Sequence, residues 1–595
     1  MATAIKRQYT DLTGVDFKND ETLVDLNRSP DALNIYKEYD GEGNCIRTRP
    51  GYEKLGEFGD IIYGIHFFSE SVVLVHSGEN LYLWDNFPSE PENPTVLKND
   101  MNEHKSISFI FEDNLYINDG LNYVVYNGTT LADVSSIAFI PTTSIGRSPS
   151  GGGTQYQDVN LLQPKRINTF IGNGINTVYY LDASDIDDVI SVKVDGVEVT
   201  NYGVNKPIGR IFFNDAPPPA PSISGVDNVE IVFSKNVAGY NDRIQKCTVS
   251  QVFDNRVFFT GNIAFKNTIF HCELNNPTYV SDLSYYQDGT SESAIKSITV
   301  GNNILWVFKE PNQENATVFY HVPQTDYEAG RIYPSKQGNV STGCTSDSIN
   351  FSDDIVFLSK YGLEGINGDI EQEQLLSHRS SLVDNKLINT SNFDKASMCE
   401  WKGYLLILAD NRIFLADSRQ KFQGINGIEY EWYYWELQST SPSLLKEYKG
   451  NLYIGSTEGD IYILKGTNDD GEIIYSYWTT PMDAFGYSNM LKTTNKRGGV
   501  ARIKTIPNGK IKVAERTNKR DERLITEKSS TGFDYNNIDY SNFAYTTKNE
   551  SYIVYKIKEK KFLNISMKFY SDELDKPFGL YSMILEAFVG GYVKR

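Results

Sequence analysis

"KGYLLILADNRIFLAD" (402–417) reads as a β-hairpin. A polar pair opens it, apolar residues alternate along the first arm, Asp-Asn breaks the run, and a second arm repeats the pattern. Period-two alternation bounded by Gly, Asn and Asp is the signature of paired strands. The same unit returns as "SESVVLVHSGENLYLWD" (69–85), "EDNLYINDGLNYVVYNG" (112–128) and "DNRVFFTGNIAFKNTIF" (254–270). It returns again as "NNILWVFKE" (302–310), "DDIVFLSKYGLEGING" (353–368) and "KGNLYIGSTEGDIYIL" (449–464). Equivalent positions fall at Ser71, Asn114, Asn255, Asn303, Asp354, Gly403 and Asn451. From Asn255 onward they step by about fifty residues, the length of one four-stranded propeller blade. The expectation is an all-β chain with a six- or seven-bladed β-propeller.

One gap, between Asn114 and Asn255, exceeds a blade by roughly 90 residues, which sizes an insertion. "GRSPSGGGTQ" (146–155) reads as a flexible lead-in, and "NDAPPPAPSISG" (214–225) as a stiff proline-rich loop. Between and after them come "TVYYLD", "VISVKVDGVEVT" with its Asp195-Gly196 hairpin turn, "RIFFND" and "VEIVFSK". These predict a small β-sandwich over 142–238. Residues 470–595 carry longer, lysine-rich alternating strands and predict a further C-terminal β region, a second sandwich or strands that close the propeller. The domain expectation is therefore an N-terminal docking arm (1–58), first blades (59–141), the inserted sandwich (142–238), remaining blades (239–469) and the C-terminal β region (470–595). The one helix candidate is "SPDALNIYKEY" (29–39), with Ser29 as N-cap and Pro30 in the first turn.

Composition narrows the function classes. A chain of 595 residues is too long for one ordinary core. Its 39 Tyr and 31 Phe suit half-buried pleated surfaces. The net charge of −20 argues against a protein that wraps nucleic acid by neutralising phosphates. It is compatible with a surface that DNA passes without sticking. Five cysteines, an odd number with no C-x-x-C pair, fit neither a zinc knuckle nor a disulfide framework. No signal peptide or apolar membrane span is visible, so folding in a cytoplasm is expected.

The sequence carries no familiar catalytic motif. The six histidines lack H-E-x-x-H spacing, and no G-x-S-x-G elbow or Walker-type loop occurs. His66 and His76 sit inside strand patterns and read as hydrogen-bonded core residues. Carboxylates cluster at "DASDIDD" (182–188), "NDDGE" (468–472) and "SDELDKP" (571–577). A glycosidase pair on separate blades would leave no spacing signal. "NDDGE" resembles part of a calcium loop but lacks the remaining ligands. No cofactor or metal site is expected, and no enzyme activity.

Two basic stretches remain. In "RTRPG" (47–51), Pro50 biases Arg49 towards an extended form and Gly51 permits a tight turn. Arg47 and Arg49, two apart, would point to one side and clamp acids of the adjacent blade or the next subunit. Arg47, Arg49, Pro50 and Gly51 are thus docking candidates, at a hinge between arm and first blade. "KTTNKRGGVARIK" (492–504) holds Lys492, Lys496, Arg497, Arg502 and Lys504. These could meet DNA phosphates, dock an acidic neighbour, or guard a sheet edge. The lack of interleaved aromatics favours docking.

The N-terminal run "LTGVDFKNDETLVDLNRSPDALNIYKEYDGEGNCIRTRPGYEKL" resembles the start of tail nozzle proteins of short-tailed bacteriophages, the tail tubular protein B or stabilisation type. "GNVSTGCTSDSINFSDDIVFLSKYGLEGI" (338–366) is similar to a mid-chain pattern of that family, on Gly338, Gly343, Cys344, Asp354, Phe357, Leu358, Ser359 and Gly362. The inserted sandwich departs from it. The resemblance implies a structural virion protein assembled in the host cytoplasm. It would form a homo-oligomeric ring, a hexamer, below portal and adaptor ring proteins. Its channel would pass genomic DNA without sequence-specific binding, and its outside would hold tail fibre or spike proteins. The alternative is a carbohydrate-binding or glycan-hydrolysing propeller.

Overall fold

The computed structural model describes residues 3–39, 44–89, 91, 94–327, 330–338, 340–367, 376–424, 427–530 and 550–592. The fold is all-β, and among the described residues seven four-stranded antiparallel sheets have the order of propeller blades. The chain divides into two compact units, Met1–Ile65 with Asn86–Pro94 and Cys344–Arg595, and His66–Asp85 with Thr95–Gly343.

Six of the seven blades share one hairpin turn. The first two strands of a blade are joined through Glu112-Asp113, Asp254-Asn255, Asn302-Asn303, Ser352-Asp353, Lys402-Gly403 and Lys449-Gly450, and every one of these residues has positive φ. Positive φ at both central residues is the requirement of a type I′ turn, whose twist matches that of the flanking strands. Asn and Asp tolerate that region best among residues with a side chain, which is why they punctuate the sequence at these places. The second strand of each blade is buried on both faces. Tyr404–Ala409 is buried throughout, as are Arg256–Thr260 and Val73–Ser77. Apolar runs there are accordingly near-continuous rather than alternating.

In the second unit, blades form from Ile107–Phe111 to Leu131–Asp133, from Val249–Phe253 to Tyr285–Gln287, and from Ile295–Gly301 to Ser335–Gln337. The insertion lies between the first two of these. It is a sandwich of a six-stranded and a three-stranded sheet around Phe170, Tyr179, Val192, Ile211, Phe213, Ile231 and Phe233. Asp195-Gly196 makes the expected hairpin turn between Asp188–Val194 and Val197–Glu198. "GRSPSGGGTQ" is a hairpin instead of a loose lead-in, because Ile145 pairs with Thr154 and three successive glycines at positive φ reverse the chain.

In the first unit, three further sheets follow, and the last of them is completed by Tyr52–Glu57 pairing with Asp460–Leu464. The closing strand thus comes from the N-terminal part of the chain. The described residues of 470–592 form a two-sheet sandwich that N-terminal strands complete. Thr3–Tyr9 and Cys45–Thr48 pair with Gly579–Tyr592, and Ala32–Leu33 pairs with Ser476–Thr479. The expected separate arm at 1–58 is therefore divided: its strands up to Thr48 join this sandwich, and Tyr52–Glu57 closes the last blade. The expected helix at 29–39 is two short strands, Ala32–Leu33 and Ile35–Glu38. Ser29 does cap a local turn, its Oγ accepting from the Asp31 amide at 3.2 Å. Asn34, at φ 54°, then takes the chain out of helical space.

Candidate functional site

Arg49 is fully enclosed. Its guanidinium grips Asp469 bidentately, Nη1 to Oδ1 at 2.8 Å and Nη2 to Oδ2 at 2.6 Å. Nε donates to Asn34 Oδ1 at 3.0 Å, and Nη1 and Nη2 also reach the carbonyls of Pro50 and Glu436. The side chains are 0% and 3% exposed. Asp469 belongs to "NDDGE", so that loop, compared above with a calcium loop, is the acceptor for an arginine. Asn34 completes the junction by accepting from the Glu436 amide at 2.9 Å and donating to Tyr475 O at 3.0 Å. Gly51 has no room for a side chain, since a Cβ would sit 1.7 Å from Asn468 O. This junction ties the N-terminal segment to the last blade and the C-terminal sandwich.

Arg47 does not join Arg49 in one clamp. It bonds Glu38 at 2.5 Å across its own hairpin, and Lys504 bonds the other Glu38 oxygen at 2.6 Å. One docking candidate and one basic-stretch candidate thus meet on a single carboxylate. Lys492 is buried and donates to the carbonyls of Tyr487 and Leu563, the latter at 2.8 Å. Arg502 pairs with Glu550 and lies 4.7 Å from the Tyr581 ring centre. The side chains of Lys496 and Arg497 lie outside the described residues. Two more pairs reinforce the unit: Arg28 on Glu431 at 2.6 Å and Arg7 on Asp483 at 2.7 Å.

The mid-chain motif builds a second buried network. Asp354 accepts two bonds from Arg379, at 2.8 and 3.2 Å, and one from Tyr430 Oη at 2.6 Å. His378 lies between Glu364 at 3.0 Å and Asp384 at 2.7 Å. Ser359 turns the chain by accepting from the Tyr361 amide, and a Cβ on Gly362 would meet Ser380 Oγ at 2.4 Å. Burial pulls the His378 imidazole down, but the bonds to Asp384 and Glu364 outweigh it and hold the group up at about 10. An imidazolium donating from both nitrogens has no lone pair to act as a general base.

The folded His378 therefore titrates above its ordinary 6.5. Its stabilisation is complete below the lower value and is lost as pH rises through the higher one. His378→Gln is expected to cost about 3 kcal/mol at pH 6 and much less at pH 10, read by urea unfolding at both pH values. A penalty independent of pH would contradict the charged clamp.

His66 shares Ser106 with His76 in hydrogen bonds of 2.8 and 2.9 Å. In the second unit His321 is buried against Asp288 at 3.0 Å; burial lowers its pKa, but the bond and charge of Asp288 outweigh this and raise it. His378 and His321 were silent in the sequence, because the acids that clamp them follow no motif spacing. Among the described residues no group of three or more His, Cys, Asp or Glu is placed to hold a metal, and no helix is long and apolar enough to cross a membrane.

The second unit also contains open clefts of about 680 and 500 Å³ beside the inserted sandwich. The smaller is lined by charged residues of both signs, including Arg147, Arg166, Asp158, Asp182 and Asp282.

No family model matches this chain, and no curated protein matches it. Among solved structures it is similar to BamB from Moraxella catarrhalis at 9% identity and TM-score 0.31, over 73% of this chain and 96% of that one. It is similar to virginiamycin B lyase from Staphylococcus aureus at 12% and 0.33, over 70% and 98%. An exo-β-1,3-galactanase from Phanerochaete chrysosporium stands at 9% and 0.21, over 57% and 95%. Likenesses this distant carry no activity, substrate or partner across.

Proposed function

We propose that this chain is a structural protein of a bacteriophage tail, a nozzle subunit that forms a homo-oligomeric ring below portal and adaptor proteins. In this reading the ring passes genomic DNA during ejection and carries fibres or spikes. The observation that supports it is where the resemblance-bearing residues lie. Arg49 and Gly51 form the junction of N-terminal segment, last blade and C-terminal sandwich, while Asp354, Ser359 and Gly362 frame the His378 network. These residues are spent on holding the body rigid, which is what a conduit under internal pressure requires. The net charge of −20 suits a lumen that repels DNA and forms no lasting phosphate contacts.

Mass photometry of the purified chain, followed by electron microscopy, tests this. A closed ring of identical copies is expected, alone or on addition of the adaptor ring. A strict monomer that cleaves or binds glycans would overturn the proposal in favour of a carbohydrate-active propeller.

A further inference from the structure

The smaller cleft of the second unit places unmet charge of both signs in one space. Arg166 lies on the strand Lys165–Phe170 and is only 9% exposed. Its Nε is buried without a hydrogen-bond partner, and its side chain lines the cleft. Among the described residues no carboxylate approaches its guanidinium within ion-pair distance. A buried N–H left without an acceptor is costly, and an anion in the cleft would offset that cost.

Opposite charge lines the same cleft. Val159 O accepts from the Asp282 amide at 2.9 Å, and Asn160 bridges Ser281, so the chain around Asp158 runs antiparallel to that around Asp282. Both carboxylates line the cleft. Asp158 accepts from Ser281 Oγ and Gln155 Nε2, each at 3.2 Å, and Asp282 has a long bond from Tyr240 Oη at 3.4 Å. Burial, with the charge of Asp158 second, raises the Asp282 carboxyl pKa and outweighs the opposing influence of Arg166 across the cleft, so a further cation here would be welcomed. Asp182 and the terminal nitrogens of Arg147 are satisfied, although Arg147 Nε is likewise buried without a partner. Asp182 accepts from Thr143 Oγ1 at 2.6 Å, and Arg147 donates to Ser144 Oγ and Tyr180 O at 3.0 Å each.

We propose that this cleft binds a small zwitterion, an α-amino acid or a short peptide with free termini, its carboxylate on Arg166 and its ammonium between Asp158 and Asp282. A lone anion would answer Arg166 but face the carboxylates, and a lone cation would meet the reverse. The volume of about 500 Å³ leaves room for a side chain or a second residue.

Saturation-transfer NMR on the full chain tests this with four probes: glycine, glycylglycine, N-acetylglycine without the cation, and glycinamide without the anion. Glycine or glycylglycine is expected to bind saturably, and the stronger of the two tells a free amino acid from a peptide. Each half-probe should bind about tenfold more weakly or worse. Asp282→Asn and Arg166→Gln should each weaken the zwitterion by about tenfold or more. Asp282→Asn should leave the thermal melt unchanged, which keeps the test valid should the buried Arg166 variant fold poorly. N-acetylglycine binding as well as glycine and unaffected by Asp282→Asn would overturn the proposal in favour of a simple anion site. So would no binding of any probe up to about 10 mM.

Discussion

Arg49→Ala is expected to lower the stability of the first unit by about 3–5 kcal/mol, because it leaves the Asp469 carboxylate buried and uncompensated. Asp469 is only 2% exposed and takes both terminal nitrogens of Arg49. Asp469→Ala should cost a similar amount by stranding the guanidinium, and the double variant should recover part of the loss. Arg47→Ala is the contrast. Its side chain is 27% exposed, and Glu38 keeps Lys504 when Arg47 is gone, so about 1 kcal/mol is expected. Urea unfolding of the four variants, with the double-mutant cycle, gives the answer. Equal small losses for Arg47 and Arg49 would mean that Arg49 does not lock the junction. Arg47→Ala is accordingly the cleaner variant for asking whether this segment also contacts a neighbouring subunit.

Removing residues 1–58 is expected to have a larger effect still, the loss of cooperative folding of the first unit. That deletion takes the closing strand from the last blade and opens the backbone edge of Asp460–Leu464. It also takes Thr3–Tyr9 and Cys45–Thr48 from the sheet of Gly579–Tyr592. Exposed edges of this kind template aggregation. The shortened protein should be insoluble, and co-expression of 1–58 as a separate peptide should restore soluble material. A soluble shortened protein whose near-UV circular dichroism matches the full chain would refute the closure role of this segment.

The blades were legible in the sequence because their turns are local. Asp254-Asn255 or Asn302-Asn303 needs only its own backbone geometry and the alternation on either side. The inserted sandwich was legible for the same reason, through Asp195-Gly196 and the length of the gap. The N-terminal segment was not. Ser29-Pro30-Asp31 has the chemistry of a helix start, but Asn34 and strand pairing to Tyr477 and Trp478 decide otherwise, and that pairing spans most of the chain. The partner of Arg49 lies 420 residues away, so no spacing could point to it. Arg166 shows nothing unusual in sequence either. Its significance lies in a buried Nε without a hydrogen-bond partner beside carboxylates that line the same cleft, which only the folded chain reveals.

The pairing of the two chain ends also sets an order on biosynthesis. On a ribosome, Tyr52–Glu57 emerges long before Asp460–Leu464, and Thr3–Tyr9 before Gly579–Tyr592. At ~5–20 residues per second the earlier strands wait roughly 20–100 s for their partners. Thr95–Gly343, by contrast, is one continuous run whose three complete blades and inserted sandwich draw every strand from within it. The nascent chain must therefore shelter its first strands while later sequence is made, and the first unit can close only once Gly579–Tyr592 has emerged.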